Sequence, residues 1–225
     1  MNASAIPVYN ATNGSNDWAT PREFLANVVD GLGLPPVALD IAAVARTAVA
    51  PLWLGPDHPD PRRRNALDPA TSWHVDGIGT RFLNCPYSRL CTIYDDGVWK
   101  GKASGRSKSL WCSTLKRKST TVMHWFRRAA VEGNRGRNPL LKLVPSRTDT
   151  DWWYRHVHGV AARVLFVDSR LWFLNADLSE ADMPAPFPSV VIEYAAAPVG
   201  CRWVTQFGTC DTEGRIVRAV GRRVG

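Results

Sequence analysis

Apolar positions along this chain follow two different periods, and each switch of period marks a change of element. Phe24, Leu25, Val28 and Val29 recur at helical spacing and form one apolar face. Thr20 in front of them can cap the helix, Pro21 suits the first helical position, and Glu23 can close a capping box. Gly31 and Gly33 are the stop signal. Residues 37–41, Val37 to Ile41, form a compact apolar run that carries Asp40 at its carboxyl end, which reads as a short buried strand although a helical reading stays open. Thr80 to Leu83 reads as a strand that ends in the polar turn Asn84-Cys85-Pro86-Tyr87.

Helical spacing returns at 121–132, where Val122, Trp125, Phe126 and Ala129 share a face, and 149–157 is the next helix candidate. Between and after these lie three further strand candidates: Leu140 to Val144, Arg163 to Phe166, and Val190 to Tyr194. Strands alternating with helices predict an α/β sandwich, a mostly parallel sheet with helices on both faces. Residues 1–16 have no periodic hydrophobicity and read as a flexible leader, so the ordered domain is expected to span 17–198. The stretch 50–76, rich in Pro, Asp and Arg, reads as an irregular surface excursion. In the extension 199–225, the segments 202–205 and 215–218 flank a glycine-containing turn and read as a terminal hairpin.

Composition narrows the classes of function. A chain of 225 residues with 45% apolar residues can bury one substantial core, so one elaborated domain is expected. Its 28 Lys and Arg against 20 Asp and Glu give a formal charge of +8, which favours polyanionic partners without choosing among DNA, RNA and lipid. No apolar run is long enough to span a bilayer, and the polar start lacks the order of a signal peptide. A cytoplasmic protein with no membrane partner is therefore expected. Five cysteines in no compact pattern argue for reduced thiols rather than a disulfide framework.

The turn at the end of the second strand candidate carries the chemistry. Asn84-Cys85-Pro86-Tyr87 resembles the Asn-Pro-Pro-Tyr motif of S-adenosylmethionine-dependent amino methyltransferases, with Cys85 where that family has its first proline. Four more blocks, Asp17 to Pro21, Leu39 to Ala43, Val144 to Trp153 and Ala185 to Val191, occur in the order found in phage-type (Dam-like) DNA N6-adenine methyltransferases. The resemblance runs from about Asp17 to Tyr194 and implies a Rossmann-like methyltransferase fold, S-adenosylmethionine as cofactor and DNA as substrate. It also implies modification of phage DNA against restriction, in the host cell cytoplasm if phage-encoded.

What that chemistry requires can be matched to residues. An adenine amino nitrogen is a poor nucleophile because its lone pair is delocalised, so acceptors must be held against its hydrogens. Asn84 offers a side-chain carbonyl and Cys85 its peptide carbonyl; Pro86 stiffens the turn and Tyr87 offers a face on which an extruded base can stack. Replacing proline by Cys85 keeps the acceptor but loses the fixed φ, and the thiol is not needed as a nucleophile. By the resemblance, Trp18, Thr20, Pro21 and Asp40 belong to the cofactor site. Arg147 would meet a phosphate or the cofactor carboxylate, while Thr148 with Asp151 could cap the next helix. Pro186 to Ser189 reads as architectural, with Phe187 able to line the pocket.

In the resembled family a helix follows the motif almost at once, whereas here it is postponed to about Thr121. Residues 91–120 are therefore read as an insertion. It carries Lys100, Lys102, Arg106, Lys108, Lys116, Arg117 and Lys118, with Trp99 and Trp111 interleaved. A target-recognition loop that holds phosphates and becomes ordered on DNA is the functional reading, against the plain one of a solvated charged surface. No metal is expected: Cys85, Cys91, Cys112 and His124 have irregular spacing for zinc. Two rivals remain. One is an amino methyltransferase for cytosine N4 or protein glutamine, and the other a DNA-binding protein whose catalysis has been impaired by Cys85.

Overall fold

The computed structural model describes residues 18–85, 99–100, 110–112, 117–119, 121–196, 205–207, 209–210 and 216–217. Its centre is a seven-stranded sheet. In chain order the strands are β1 (Val37–Asp40), β2 (Leu52–Trp53), β3 (Thr80–Asn84), β7 (Leu140–Pro145), β8 (Arg163–Phe166), β9 (Ser189–Tyr194) and β10 (Thr205–Phe207). Two smaller sheets hold β4 (Trp99–Lys100), β5 (Leu110–Cys112) and β6 (Arg117–Ser119), and β11 (Thr209–Cys210) with β12 (Ile216–Val217). The large sheet has the order β10-β8-β9-β7-β3-β1-β2. Its pairings β1–β2, β1–β3, β3–β7 and β8–β10 are parallel, and β9 runs antiparallel to both β7 and β8. The sheet is thus mixed rather than simply parallel, and the reversal belongs to one strand.

Side-chain alternation divides the core into two layers. Along β7, Leu140 and Val144 join one cluster while Leu141 and Leu143 join the other. β9 alternates in the same way through Val190, Val191 and Ile192. Helix α1 (Arg22–Gly31) buries Phe24, Leu25, Val28 and Val29 in the second cluster. Helices α2 (Thr121–Arg135) and α3 (Asp151–His156) bury Trp125, Phe126, Ala129, Trp152 and Trp153 in the first. Helices therefore cover both faces. Phe126 and Trp152 stack at 4.1 Å and 17°, which ties α2 to α3. Gly133 lets α2 lie directly on the sheet, because a Cβ there would sit 2.2 Å from Cβ of Tyr194.

Several local expectations resolve differently. Thr20 does not cap α1: Pro21 occupies the N-cap position and the helix has no side-chain cap bond, because the Thr20 hydroxyl is engaged elsewhere. Neither Thr148 nor Asp151 caps α3. Thr150 stands at the N-cap without a cap bond, its hydroxyl donating to the Arg147 carbonyl at 2.8 Å, and Asp151 pairs with Arg155 at 2.7 Å. The stretch 50–76 is not merely a surface excursion. It contributes β2 and buries Trp73, whose indole N–H donates to the Ala66 carbonyl at 2.9 Å.

Arg128 of α2 locks this segment in place. Its guanidinium donates to the carbonyls of Ala66 and Asp68 at 2.6 and 2.7 Å and also to that of Thr71, and lies 4.5 Å over the Trp73 ring. In the chain's last part, the pairing is between β11 and β12, whereas 205–207 joins the large sheet beside β8. The expected flexible leader lies outside the described residues.

Candidate active site

The carboxyl ends of β1, β3 and β7 point to one edge of the large sheet, and the amino end of β9 meets that edge at the Pro145–Ser189 register pair. Asn84 is the last residue of β3. Its side-chain amide nitrogen donates to Thr20 Oγ1 at 3.1 Å and approaches the Trp18 carbonyl at 3.4 Å. A backbone carbonyl only accepts, so the amide must turn its NH2 toward Trp18 and Thr20. Oδ1 is then the acceptor end of the group. This accounts for the Thr20 hydroxyl: it orients Asn84 from the segment leading into α1.

Trp18 continues the site as a wall. Its ring stacks on Phe173 at 5.3 Å and 24° and leans on Phe187 at 5.6 Å. The segment is pinned by reciprocal backbone bonds between Ala19 and Leu174, both 2.9 Å. Nearby at the sheet edge, Ser189 is buried and its hydroxyl has no hydrogen-bond partner among the described residues. Pro21 sits between Thr20 and α1, where it fixes the entry of the helix.

Asp40 closes β1 and is buried. Its carboxylate accepts the backbone N–H of Val49 at 3.1 Å and that of Ala42 at 3.4 Å, so it organises the loop 41–49. Burial pushes its pKa up to about 6, against the lowering effect of the two N–H groups and of Arg22. Arg147 lies just beyond β7, exposed, in a turn closed by its own N–H to the Pro145 carbonyl at 2.9 Å and by the Thr150 hydroxyl.

Cys85 faces the other way. Its sulfur is buried in the layer beneath α2, where Lys142 Nζ donates to it at 2.9 Å. Lys142 is wholly buried in β7 and its Nζ stands 4.5 Å over the Phe126 ring. Burial lowers the Lys142 pKa, opposed by Cys85. Tyr194, fully buried on β9, has its phenol pKa raised chiefly by burial, and its hydroxyl donates to the His156 carbonyl at 2.7 Å.

Trp18, Thr20 and Asn84 are thus brought together, with Asp40 and Arg147 on the same sheet edge. Pro86, Tyr87, Lys102, Arg106, Lys108 and Lys116 lie outside the described residues. Lys100, Arg117 and Lys118 belong to a three-stranded antiparallel sheet, so the stretch expected as a recognition loop also holds strands. Its register sets Lys100 opposite Trp111 and Trp111 opposite Lys118. Sequence reasoning missed Lys142 and Phe173. The signal for Lys142 was visible as a lone lysine inside Leu140 to Val144; nothing local marked Phe173.

An open α/β sheet with an oriented amide and an aromatic wall at the carboxyl edge of its parallel strands has the layout of an enzyme that binds its ligand there. The family model described as DNA N-6-adenine-methyltransferase (Dam) matches residues 10–198, and the chain belongs to that family. Its activity is accordingly methyl transfer to the N6 amino group of adenine in DNA. Neither the curated proteins nor the solved structures contain a match to the chain. No helix among the described residues is long and apolar enough to cross a membrane.

Proposed function

We propose that methyl transfer takes place at the carboxyl end of β3, with Asn84 and the peptide carbonyl of Cys85 as the two acceptors for the adenine amino group. The observation that carries this reading is the orientation of Asn84 at the end of β3: its amide nitrogen is held by Thr20 and Trp18, which makes Oδ1 the acceptor end of the group. Accepting both amino hydrogens draws the nitrogen out of conjugation and lets its lone pair face the methyl donor. Much of the acceleration then comes from positioning. Pro86 and Tyr87 complete the motif, the tyrosine as a platform for the flipped base.

S-adenosylmethionine, when bound, supplies the electrophilic methyl group. The residues at the sheet edge fit it. The partly exposed Trp18 with Phe173 and Phe187 offers an aromatic face to a purine, Asp40 braces the loop beside it, and Arg147 is a cation at hand for a carboxylate. Pro21 holds the Trp18–Thr20 segment in place. A Rossmann-like methyltransferase fold is supported by the order β2-β1-β3-β7-β9-β8 with one reversed strand and helices on both faces. DNA is held by the basic insertion, through Lys100, Lys102, Arg106, Lys108, Lys116, Arg117 and Lys118. The register row Lys100–Trp111–Lys118 supports this, since basic residues suited to phosphates and an aromatic residue share one small sheet. The biological role is protection of phage DNA from restriction within the host cytoplasm.

Cofactor and base functions are separable by experiment. Trp18→Ala should weaken binding of S-adenosylhomocysteine by about tenfold, the scale of one lost stacking contact. Asn84→Ala should bind it within about threefold of wild type while losing transfer. Undiminished cofactor binding by Trp18→Ala would remove the aromatic wall from the site.

A further inference from the structure

We propose that Lys142 is a positioning residue for methyl transfer: from within the core it grips the Cys85 sulfur and so fixes the turn that carries both acceptor carbonyls. The inference rests on the reading of Asn84 to Tyr87 as the site. Lys142 is the register partner of Leu83, one strand over and two residues before Cys85. Strand alternation sends its side chain into the layer beneath α2, the same layer that receives Cys85. There Nζ meets Sγ at 2.9 Å and the Phe126 ring at 4.5 Å, with no exposure to water.

A lysine in that place is not explained by packing. Its neighbours along β7 are Leu141 and Leu143, and a methionine or leucine would fill the same volume without desolvating an amine. Among the described residues the only hydrogen-bond partner of its Nζ is Cys85. Cys85 in turn stands where the resembled Asn-Pro-Pro-Tyr motif has a proline, whose ring fixes φ covalently. Cysteine has no such constraint, and a buried N–H···S contact to the neighbouring strand supplies one through space. Lysine and cysteine together thus do for the turn what the pyrrolidine ring does in the family pattern.

This predicts coupling between the two positions, tested by steady-state methylation of DNA with wild type, Lys142→Met, Cys85→Pro and the double variant. Far-ultraviolet circular dichroism and an unfolding midpoint are recorded for each, and Lys142→Leu serves as a second replacement. Lys142→Met should lower kcat about tenfold with KM for S-adenosylmethionine within about twofold, the pattern of lost transition-state alignment. In the Cys85→Pro background the same substitution should change kcat by less than about twofold. An unchanged kcat in folded Lys142→Met or Lys142→Leu overturns the proposal, and so does an equal loss in both backgrounds. Asn84→Ala separates the two levels: if it still methylates, the site reading fails and the role of Lys142 with it. If Asn84→Ala is inactive while Lys142→Met is unaffected, only the role of Lys142 fails.

Discussion

Removing the Thr20 hydroxyl tests whether Asn84 is held as the geometry requires. Thr20→Val is nearly isosteric at a buried position and deletes the nearer of the two acceptors described for the Asn84 amide nitrogen, the other being the Trp18 carbonyl at 3.4 Å. A neutral hydrogen bond contributes about 0.5–1.5 kcal/mol net, and a donor deprived of its partner costs ~1–3 kcal/mol. Because one acceptor remains, a loss near 1 kcal/mol is expected, and with ~1.4 kcal/mol per decade kcat should fall about fivefold. Thr20→Ser restores the oxygen and should stay within about twofold of wild type. Initial rates of labelled methyl transfer at saturating DNA and S-adenosylmethionine measure this directly. KM for DNA should be little changed, since no DNA contact is removed. An unchanged kcat in Thr20→Val, or a serine variant as slow as the valine one, would show that the amide is not oriented by this hydroxyl.

Other consequences concern stability and DNA binding. The pKa of Asp40, about 6 in the folded chain against an ordinary 3.8, means that the folded state binds this proton more tightly, so the group's stabilisation is full below about pH 4 and is lost as pH rises through about 6, a swing of ~3 kcal/mol. Urea unfolding of wild type and Asp40→Asn should show their difference shifting toward the variant by that order between about pH 4 and pH 7; a shift of opposite sign contradicts the burial argument. Arg128→Met strips the 66–71 segment of its buried donors and should cost about 3 kcal/mol, with new protease cleavage inside 61–76. Wild-type resistance in that variant would show that the segment holds without the arginine. Neutralising Lys116, Arg117 and Lys118 to Gln should flatten the dependence of log K for DNA on log salt by up to about 2–3, and an unchanged slope would remove this cluster from the phosphate contacts.

The parts of the fold legible in the sequence are those whose signal is local. Leu140 to Val144 and Arg163 to Phe166 read as strands because each is a short, mostly apolar run of strand length, and the observed bounds differ by at most one residue. The face of α2 followed from the spacing of Val122, Trp125, Phe126 and Ala129. What stayed hidden depends on partners distant in the chain. Thr20 has the local features of a cap, yet its oxygen is claimed by Asn84, 64 positions away. The reversal of β9 is decided by which strand it reaches, and nothing in Ser189 to Tyr194 encodes direction. In the same way nothing beside Arg128 in the chain marks the carbonyls of 66–71 that surround it. The motif itself was readable at Asn84 and Cys85, but the amide's orientation and the lysine under the sulfur needed three dimensions.

Transfer of labelled methyl from S-adenosylmethionine to unmethylated phage DNA, followed by nucleoside mass analysis, tests the central claim most directly, with Asn84→Ala run in parallel. The account predicts N6-methyladenine as the product and its disappearance in the variant. N4-methylcytosine, or N6-methyladenine persisting in Asn84→Ala, would contradict it, as would DNA and cofactor binding without any methylated base.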